Sequence, residues 1–292
     1  VGRSHFLPSC TEQYSSAMGG LTLDPAEWIR GDISFRLEKQ GELAARSWGT
    51  GIELRITPWF SLIGSHGISH RFPTVQDLFW SDSILARPAA LTQERHRLSE
   101  VGFKMKVAQA EVSVVGFRRS VENALMYLQT ASIGDAGSVR IENSPSVEIS
   151  GARTEIRLRL WKFTAEGNLA YTSYKAQGKS TLQIPRLIST GEFGFRDLFF
   201  SEKLDLKVAA RWKAVTHHLG LQFVPRMLIA AQQATLEMPA FTRLDFYVVA
   251  KIGDAYLTLT LENPLNTNMM VLPFYPLMKR NVKLGVNWEF TD

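Results

Sequence analysis

The chain has 292 residues, 45% hydrophobic and 21% charged, with a net charge of +5 from 33 basic and 28 acidic side chains. This composition excludes a disordered or collagen-like chain, and so small a charge excess does not imply nucleic acid. One cysteine, Cys10, excludes a disulfide framework and Cys-rich metal sites, and no run approaches the 18 or so apolar residues of a membrane helix.

Period, rather than mean hydropathy, is the informative quantity, because apolar and polar residues alternate along most of the chain. Residues 1–12 read as a loop or partial strand. A first strand is expected over 13–23, a short turn at 24–27, and a second strand over 28–38 with Ile33, Phe35 and Leu37 on one face. An intermediate connection, 39–49, leads to Ile52, Leu54 and Ile56, a short turn at Pro58 and Trp59, and a long connection over 72–93. Val101, Phe103, Met105 and Val107 precede a short turn at Ala108 and Gln109, and 122–146 is a long connection. Ile156, Leu158 and Leu160 run into a short turn at Trp161 and Lys162, followed by a long connection at 175–186 and a short one at 200–203. Leu204, Leu206, Val208, Ala210 and Trp212 alternate before the long connection 213–240. Leu244, Phe246, Val248, Ala250 and Ile252 follow, then a tight turn at Gly253 and Asp254 and the run Leu257, Leu259, Leu261. Residues 265–280 are the last long connection, before Val282, Leu284, Val286, Trp288 and Phe290.

Several runs exceed the five or six residues usual in soluble strands and reach the roughly 9–11 that a tilted strand needs to cross a bilayer. Short connections alternate with long ones, as periplasmic turns alternate with external loops in outer-membrane barrels. The fold class is therefore all-β, an antiparallel transmembrane β-barrel of the outer-membrane type. The count is thirteen, so about 12–14 strands are present. Because closed bacterial barrels usually have an even number, they are expected to be part of a larger barrel, with a small independent barrel of twelve or fourteen strands as the alternative. Residues 1–292 form a single β-barrel domain on this reading.

Trp59, Trp161, Trp212, Trp288 and Phe290 fall at or near strand ends, where aromatic rings favour the membrane interface. Arg36, Arg55, Lys104, Lys106, Arg157, Arg159, Lys207, Arg211, Lys251 and Lys283 face inward. Asp32, Glu38, Glu53, Glu100, Glu155, Asp205, Asp245, Glu262 and Glu289 nearly balance them. Val248 is expected to face lipid, and Tyr247, on the opposite face, to tolerate a charge that Val248 would not. His66 and His70, four residues apart in a strand, stand roughly 13 Å apart, too far to share an ion. No hydrolase, phosphate-loop or zinc-protease signature is present, so no catalytic residue, cofactor or metal site is assigned and the chain reads as a non-enzyme.

The segment Leu54-Arg55-Ile56-Thr57-Pro58-Trp59, followed by Arg71-Phe72-Pro73-Thr74-Val75-Gln76-Asp77-Leu78-Phe79, resembles the strand, turn, strand and aromatic-Arg-x-Pro-Thr motif of TonB-dependent outer-membrane receptors. Glu94, Glu100-Val101-Gly102, Gly151, Glu262-Asn263-Pro264-Leu265-Asn266, the stretch 276–280 and the aromatic closing strand resemble that family's further landmarks in order. His70 departs from the family's usual Gly-aromatic-Arg, and Thr291 and Asp292 follow the closing aromatic.

The resemblance implies a bacterial outer-membrane location, lipid around the barrel, and insertion by the barrel-assembly machinery. It also implies energised uptake of a scarce bulky nutrient, a siderophore-iron chelate, a cobalamin-like cofactor or a glycan. The TonB system would act through an N-terminal plug for which the chain has no room, so the chain is expected to be the C-terminal part of the barrel. A passive porin-like barrel and a structural or adhesive barrel are the alternatives. Trp80, His217, His218, Phe274 and Tyr275, in long connections, are the candidate ligand contacts.

Overall fold

A computed structural model of the chain describes residues 13–79, 85, 90–129, 139–176, 179–181, 183–225 and 228–288. Trp80, Phe290, Glu289, Cys10 and the partial strand expected in 1–12 lie outside these residues. The strands are β1 (Tyr14–Ala26), β2 (Ile29–Gln40), β3 (Leu43–Thr57), β4 (Phe60–Arg71), β5 (Glu94–Val107), β6 (Ala110–Gln129), β7 (Val139–Leu160), β8 (Phe163–Ala176) and β9 (Lys179–Thr181). They continue with β10 (Leu187–Phe199), β11 (Leu204–Val215), β12 (His218–Val224), β13 (Ile229–Met238), β14 (Phe241–Ile252), β15 (Ala255–Glu262), β16 (Met270–Leu272), β17 (Tyr275–Pro276) and β18 (Asn281–Trp288). One short helix, α1 (Val75–Phe79), follows β4.

The wall is a single path of antiparallel neighbours, β1-β2-β3-β4-β5-β6-β7-β8-β10-β11-β14-β15-β18, with β1 and β18 as its two edges. Directly paired residues share a face, so the ladders sort the side chains. Val208, Val248, Leu259 and Leu284 are successive partners on one face, and Lys207, Val249 and Thr258 on the other. The first face is open: Phe35, Val101, Ile156, Phe193, Phe246 and Leu284 are all more than 40% exposed. In water such a sheet would be an aggregation surface; in a bilayer it is the lipid-facing wall.

One end of the wall has only tight turns, at Glu27-Trp28, Pro58-Trp59, Ala108-Gln109, Trp161-Lys162, 200–203 and Gly253-Asp254. Trp59 and Trp161 lie in those turns, 50% and 79% exposed, and Trp288 ends β18 opposite Ala255. Trp212 sits near the other end of the outward face, with its indole N–H donating to Ser189 Oγ at 3.1 Å. It lies across Gly191, where a Cβ would come within 2.2 Å of the ring, so only glycine permits that contact.

Three expectations change. The turn expected at 24–27 lies at Glu27-Trp28, because β1 continues through a register irregularity between Leu23 and Ala26. The connection expected over 39–49 is a tight hairpin instead. Gly41 takes φ +56 there, and Gln40 pairs directly with Leu43. The connection expected over 122–146 is largely strand: β6 and β7 run to 20 and 22 residues and stay paired beyond Asn123, whose φ of +54 absorbs the irregularity before Ala124 pairs with Ser144.

Candidate functional site

The long connections gather at the end opposite the tight turns and form a second tier of structure. The motif read in sequence anchors it. β4 ends at Arg71, and Thr74 caps α1: its Oγ1 accepts from the Asp77 N–H at 3.2 Å, while Asp77 Oδ2 accepts from the Thr74 N–H at 2.8 Å. Phe72 and Pro73 are buried, and the Pro73 carbonyl accepts from Gln40 Nε2 at 2.9 Å. Asp77 is only 3% exposed and is satisfied from a distant hairpin, accepting from the Tyr127 hydroxyl at 2.5 Å. Leu78 donates its N–H to the Thr74 carbonyl at 3.1 Å, completing the turn.

Arg71 bridges this cap to β5. Its Nη1 donates to Glu94 Oε2 at 3.2 Å, and its Nη2 stands 3.8 Å from Asp77 Oδ2. Glu94 also accepts from the Leu125 N–H on β6 at 2.6 Å, and its Oε2 lies 3.1 Å from His96 Nε2. The other nitrogen of His96 lies 3.0 Å from Arg119 Nη2, which can only donate, so Nε2 carries the proton and donates to Glu94. Burial alone would raise the Glu94 carboxyl. The hydrogen bonds from His96, Leu125 and Arg71 outweigh it and hold the group below its ordinary value. Burial, then the bond to Asp77, push the Tyr127 hydroxyl up, so it stays a neutral donor.

Above this knot, Leu85, Val139, Val224 and Ala231 form a buried cluster with Tyr127 and Ile229 packed against it. The β12–β13 hairpin, which rises between β11 and β14, leans back across the outer ends of the wall and pairs with β6 at Gln232 and Leu128. Gln233 braces it: the amide nitrogen donates to the Leu236 carbonyl at 2.8 Å and to the Gly220 carbonyl at 2.5 Å, and the amide oxygen accepts from the Thr235 and Leu236 N–H groups. A second cluster, Val121, Ala124, Val147 and Tyr174, packs where β6, β7 and β8 leave the wall. The β15–β18 connection is tied down by Asn263. This residue is fully buried at φ +47, and its side chain exchanges two 2.9 Å bonds with the Thr267 backbone.

The candidate ligand contacts fall in different parts of this tier. Tyr275 packs edge-on against Phe223 of β12 at 6.0 Å, and Phe274 beside it is 73% exposed at φ +68. His217 and His218 lie at the root of the β12–β13 hairpin, where His218 Nδ1 is 3.2 Å from the Thr216 carbonyl oxygen. Among the described residues no group of three or more His, Cys, Asp or Glu side chains could hold a metal ion. His66 is bound to Ser99 Oγ at 2.8 Å and His70 to Ser47 Oγ at 3.3 Å, so the two act separately.

Inside the wall, charges pair across strands. Arg153 reaches Glu100 at 2.9 Å, and Lys283 reaches Glu262 at 2.8 Å. Glu192 takes Lys207 at 2.8 Å, Arg211 at 2.7 Å and the Tyr247 hydroxyl at 2.5 Å. Tyr247 is therefore a buried hub under two cations rather than a tolerant polar position, a correction to its sequence reading. Nearer the tight turns an inward concavity of about 700 Å³ is lined by Arg55, Lys104, Ser113, Glu155 and Arg157. Sequence reasoning missed Tyr127, His96, Arg153 and Glu192; for the last two, inward parity on their strands was the available signal.

The fold of the wall and its outer tier is shared with solved structures of known proteins. The copper transporter OprC has the same fold with a TM-score of 0.78 and 15% identity, over 96% of this chain and 48% of that one. The siderophore receptor PirA from Acinetobacter baumannii matches with a TM-score of 0.74 and 13% identity, over 96% of this chain and 46% of that one. The FrpB iron transporter from Neisseria meningitidis, F5-1 variant, gives 0.72 and 16%, over 96% and 46%. At these identities the likeness is one of fold, and the chain spans about half the length of these proteins. No curated protein matches the sequence. The family model described as TonB dependent receptor-like, beta-barrel, matches residues 18–263. The chain belongs to the TonB-dependent receptor β-barrel family.

Proposed function

We propose that the chain supplies barrel wall and outer mouth to a bacterial outer-membrane receptor for energised uptake of a scarce, bulky nutrient. Siderophore-bound iron is the first candidate class, followed by a cobalamin-like cofactor and a glycan. The observation that carries this reading is the folded outer tier. The β12–β13 hairpin returning to β6 over a buried apolar cluster gives the mouth a fixed shape, which selective capture needs and passive diffusion does not. Similarity to copper, iron and siderophore transporters favours a metal-related cargo. Ligand contact falls to His217, His218, Phe274, Tyr275 and Trp80, and coupling to the TonB system runs through a plug domain. The protein acts as a receptor rather than an enzyme, in contact with outer-membrane lipid.

The test is uptake by the full-length protein in cells with and without a working TonB system, using labelled ferric chelates, cobalamin and oligosaccharides. Concentrative uptake of one class that disappears without TonB is the expected result. Entry of small solutes that is indifferent to TonB would assign the barrel to passive diffusion.

A further inference from the structure

A flank of the outward face is basic at one height. Crossing a bilayer takes about 9–11 residues of tilted strand. Counted from the tight-turn end, that distance reaches Lys39 on β2, Arg46 on β3, Arg97 on β5, Arg118 on β6 and Lys175 on β8, each within about two residues. The ladders place all of them outward. Leu37 pairs with Arg46, Ile68 with Arg97, Ser99 with Arg118 and Glu148 with Lys175, and Arg95 joins them opposite His70. Toward the tight turns the same face is apolar, with Phe35, Leu37, Val101 and Phe103 on β2 and β5. Trp48, 43% exposed, stands on that face beside Arg46.

The cations outnumber their partners. Arg95 and Arg97 share Glu122, at 3.3 Å and 3.7 Å, and Arg118 holds Glu148 at 2.8 Å while remaining 70% exposed. Lys39, Arg46 and Lys175 have no ion pair among the described residues. At the corresponding level β10, β11 and β14 carry no outward charge, with Ser189, Ala214 and Thr242 as successive partners. Exposed cations just above an apolar band, with an amphipathic indole among them, match a layer that is apolar below and anionic above.

We propose that the flank from β2 to β8 binds phosphate groups of anionic lipid headgroups in the outer leaflet. The outward placement separates this surface from the mouth and its cargo, and the apolar band beneath it favours a phosphate attached to acyl chains over a free ion. Guanidinium groups bind phosphate in two-point contacts, and six cations spread over several strands suit a headgroup carrying more than one phosphate. The inference needs the barrel to sit in an outer membrane and is independent of the uptake reading.

The experiment measures lipid retained by the full-length protein in mixed micelles, using a phosphorylated outer-leaflet glycolipid and the same lipid after enzymatic removal of its phosphates. The phosphorylated form should be retained about tenfold or more over the dephosphorylated one, and raised salt should release it. Combining Arg46→Gln, Arg97→Gln and Arg118→Gln should abolish most of that preference, whereas Arg153→Gln, inside the wall, should leave it intact. If the triple variant fails to insert, Arg46→Gln alone breaks no ion pair and should still lower retention. Equal retention of the two lipids by the unmodified protein, or equal loss in the inward and outward variants, would overturn the proposal.

Discussion

Adjacent residues on β6 test the two-faced wall directly. Val114 faces out, between Phe103 and Thr154, and lies near the middle of the spanning stretch. Ser113 faces in, between Lys104 and Glu155, and borders the concavity of about 700 Å³. Val114→Arg sets a guanidinium against hydrocarbon near the midplane, which costs roughly 2–4 kcal/mol. That corresponds to about thirty- to several-hundred-fold in the ratio of folded to unfolded protein. Ser113→Arg places the same group in an open, wet space with the Glu155 carboxylate across the ladder, so its effect should stay within about 0.5 kcal/mol. Denaturant titration of the full-length protein in lipid vesicles, followed by tryptophan fluorescence, reads both. Equal destabilisation by the two variants, or a larger loss at Ser113, would refute the assignment of faces and with it the membrane reading of the wall.

Other outcomes follow from the outer tier and the tryptophan contact. Tyr127→Phe removes the 2.5 Å donor to the buried Asp77 carboxylate, at a cost of about 1–3 kcal/mol, and hydrogen exchange should rise over α1 and the outer part of β6 while the wall stays protected. Glu94 is held below its ordinary 4.5, so its stabilising contribution is complete above that value and is lost as pH falls through the lower folded value. Amide protection at Leu125 should therefore decline on acidification, and Glu94→Gln should remove that dependence. Gly191→Ala drives a Cβ to 2.2 Å from the Trp212 ring and 2.6 Å from the Glu166 carbonyl oxygen, which should displace the indole, shift its emission and cost about 1–3 kcal/mol.

What sequence could disclose follows from the range of each interaction. The wall was legible because its period-2 pattern is local: Val282 to Trp288 shows its faces without reference to any other segment. Tight turns were legible where glycine and polar residues coincide, as at Gly253 and Asp254, and misplaced at Gly41, whose flanks Gln40 and Glu42 looked like loop. The outer parts of β6 and β7 were hidden because Asn123 and Pro145 interrupt the alternation on both strands at once, and pairing resumes beyond them. At the mouth, Arg71 to Leu78 was visible through family resemblance, but the partners that satisfy Asp77 and Glu94 come from Tyr127, Leu125 and His96 on other strands. No local pattern announces them.

The wall and the outer tier differ in how far apart in the chain their partners lie, and this orders their assembly. Each wall ladder joins strands adjacent in sequence or separated only by an excursion at the mouth, so the wall can extend one hairpin at a time with little loop-closure entropy at each step. The tier closes through Gln232 with Leu128 and through the packing of Val224 and Ala231 on Leu85 and Val139, contacts that exist only after both β6 and the distant β12–β13 hairpin have been laid down. It is thus the last part to form and a separate cooperative unit, able to open without unpairing a wall strand. Order in the tier can therefore be lost, as by Tyr127→Phe, while the wall strands, where every lost backbone hydrogen bond is costly in hydrocarbon, keep their pairing.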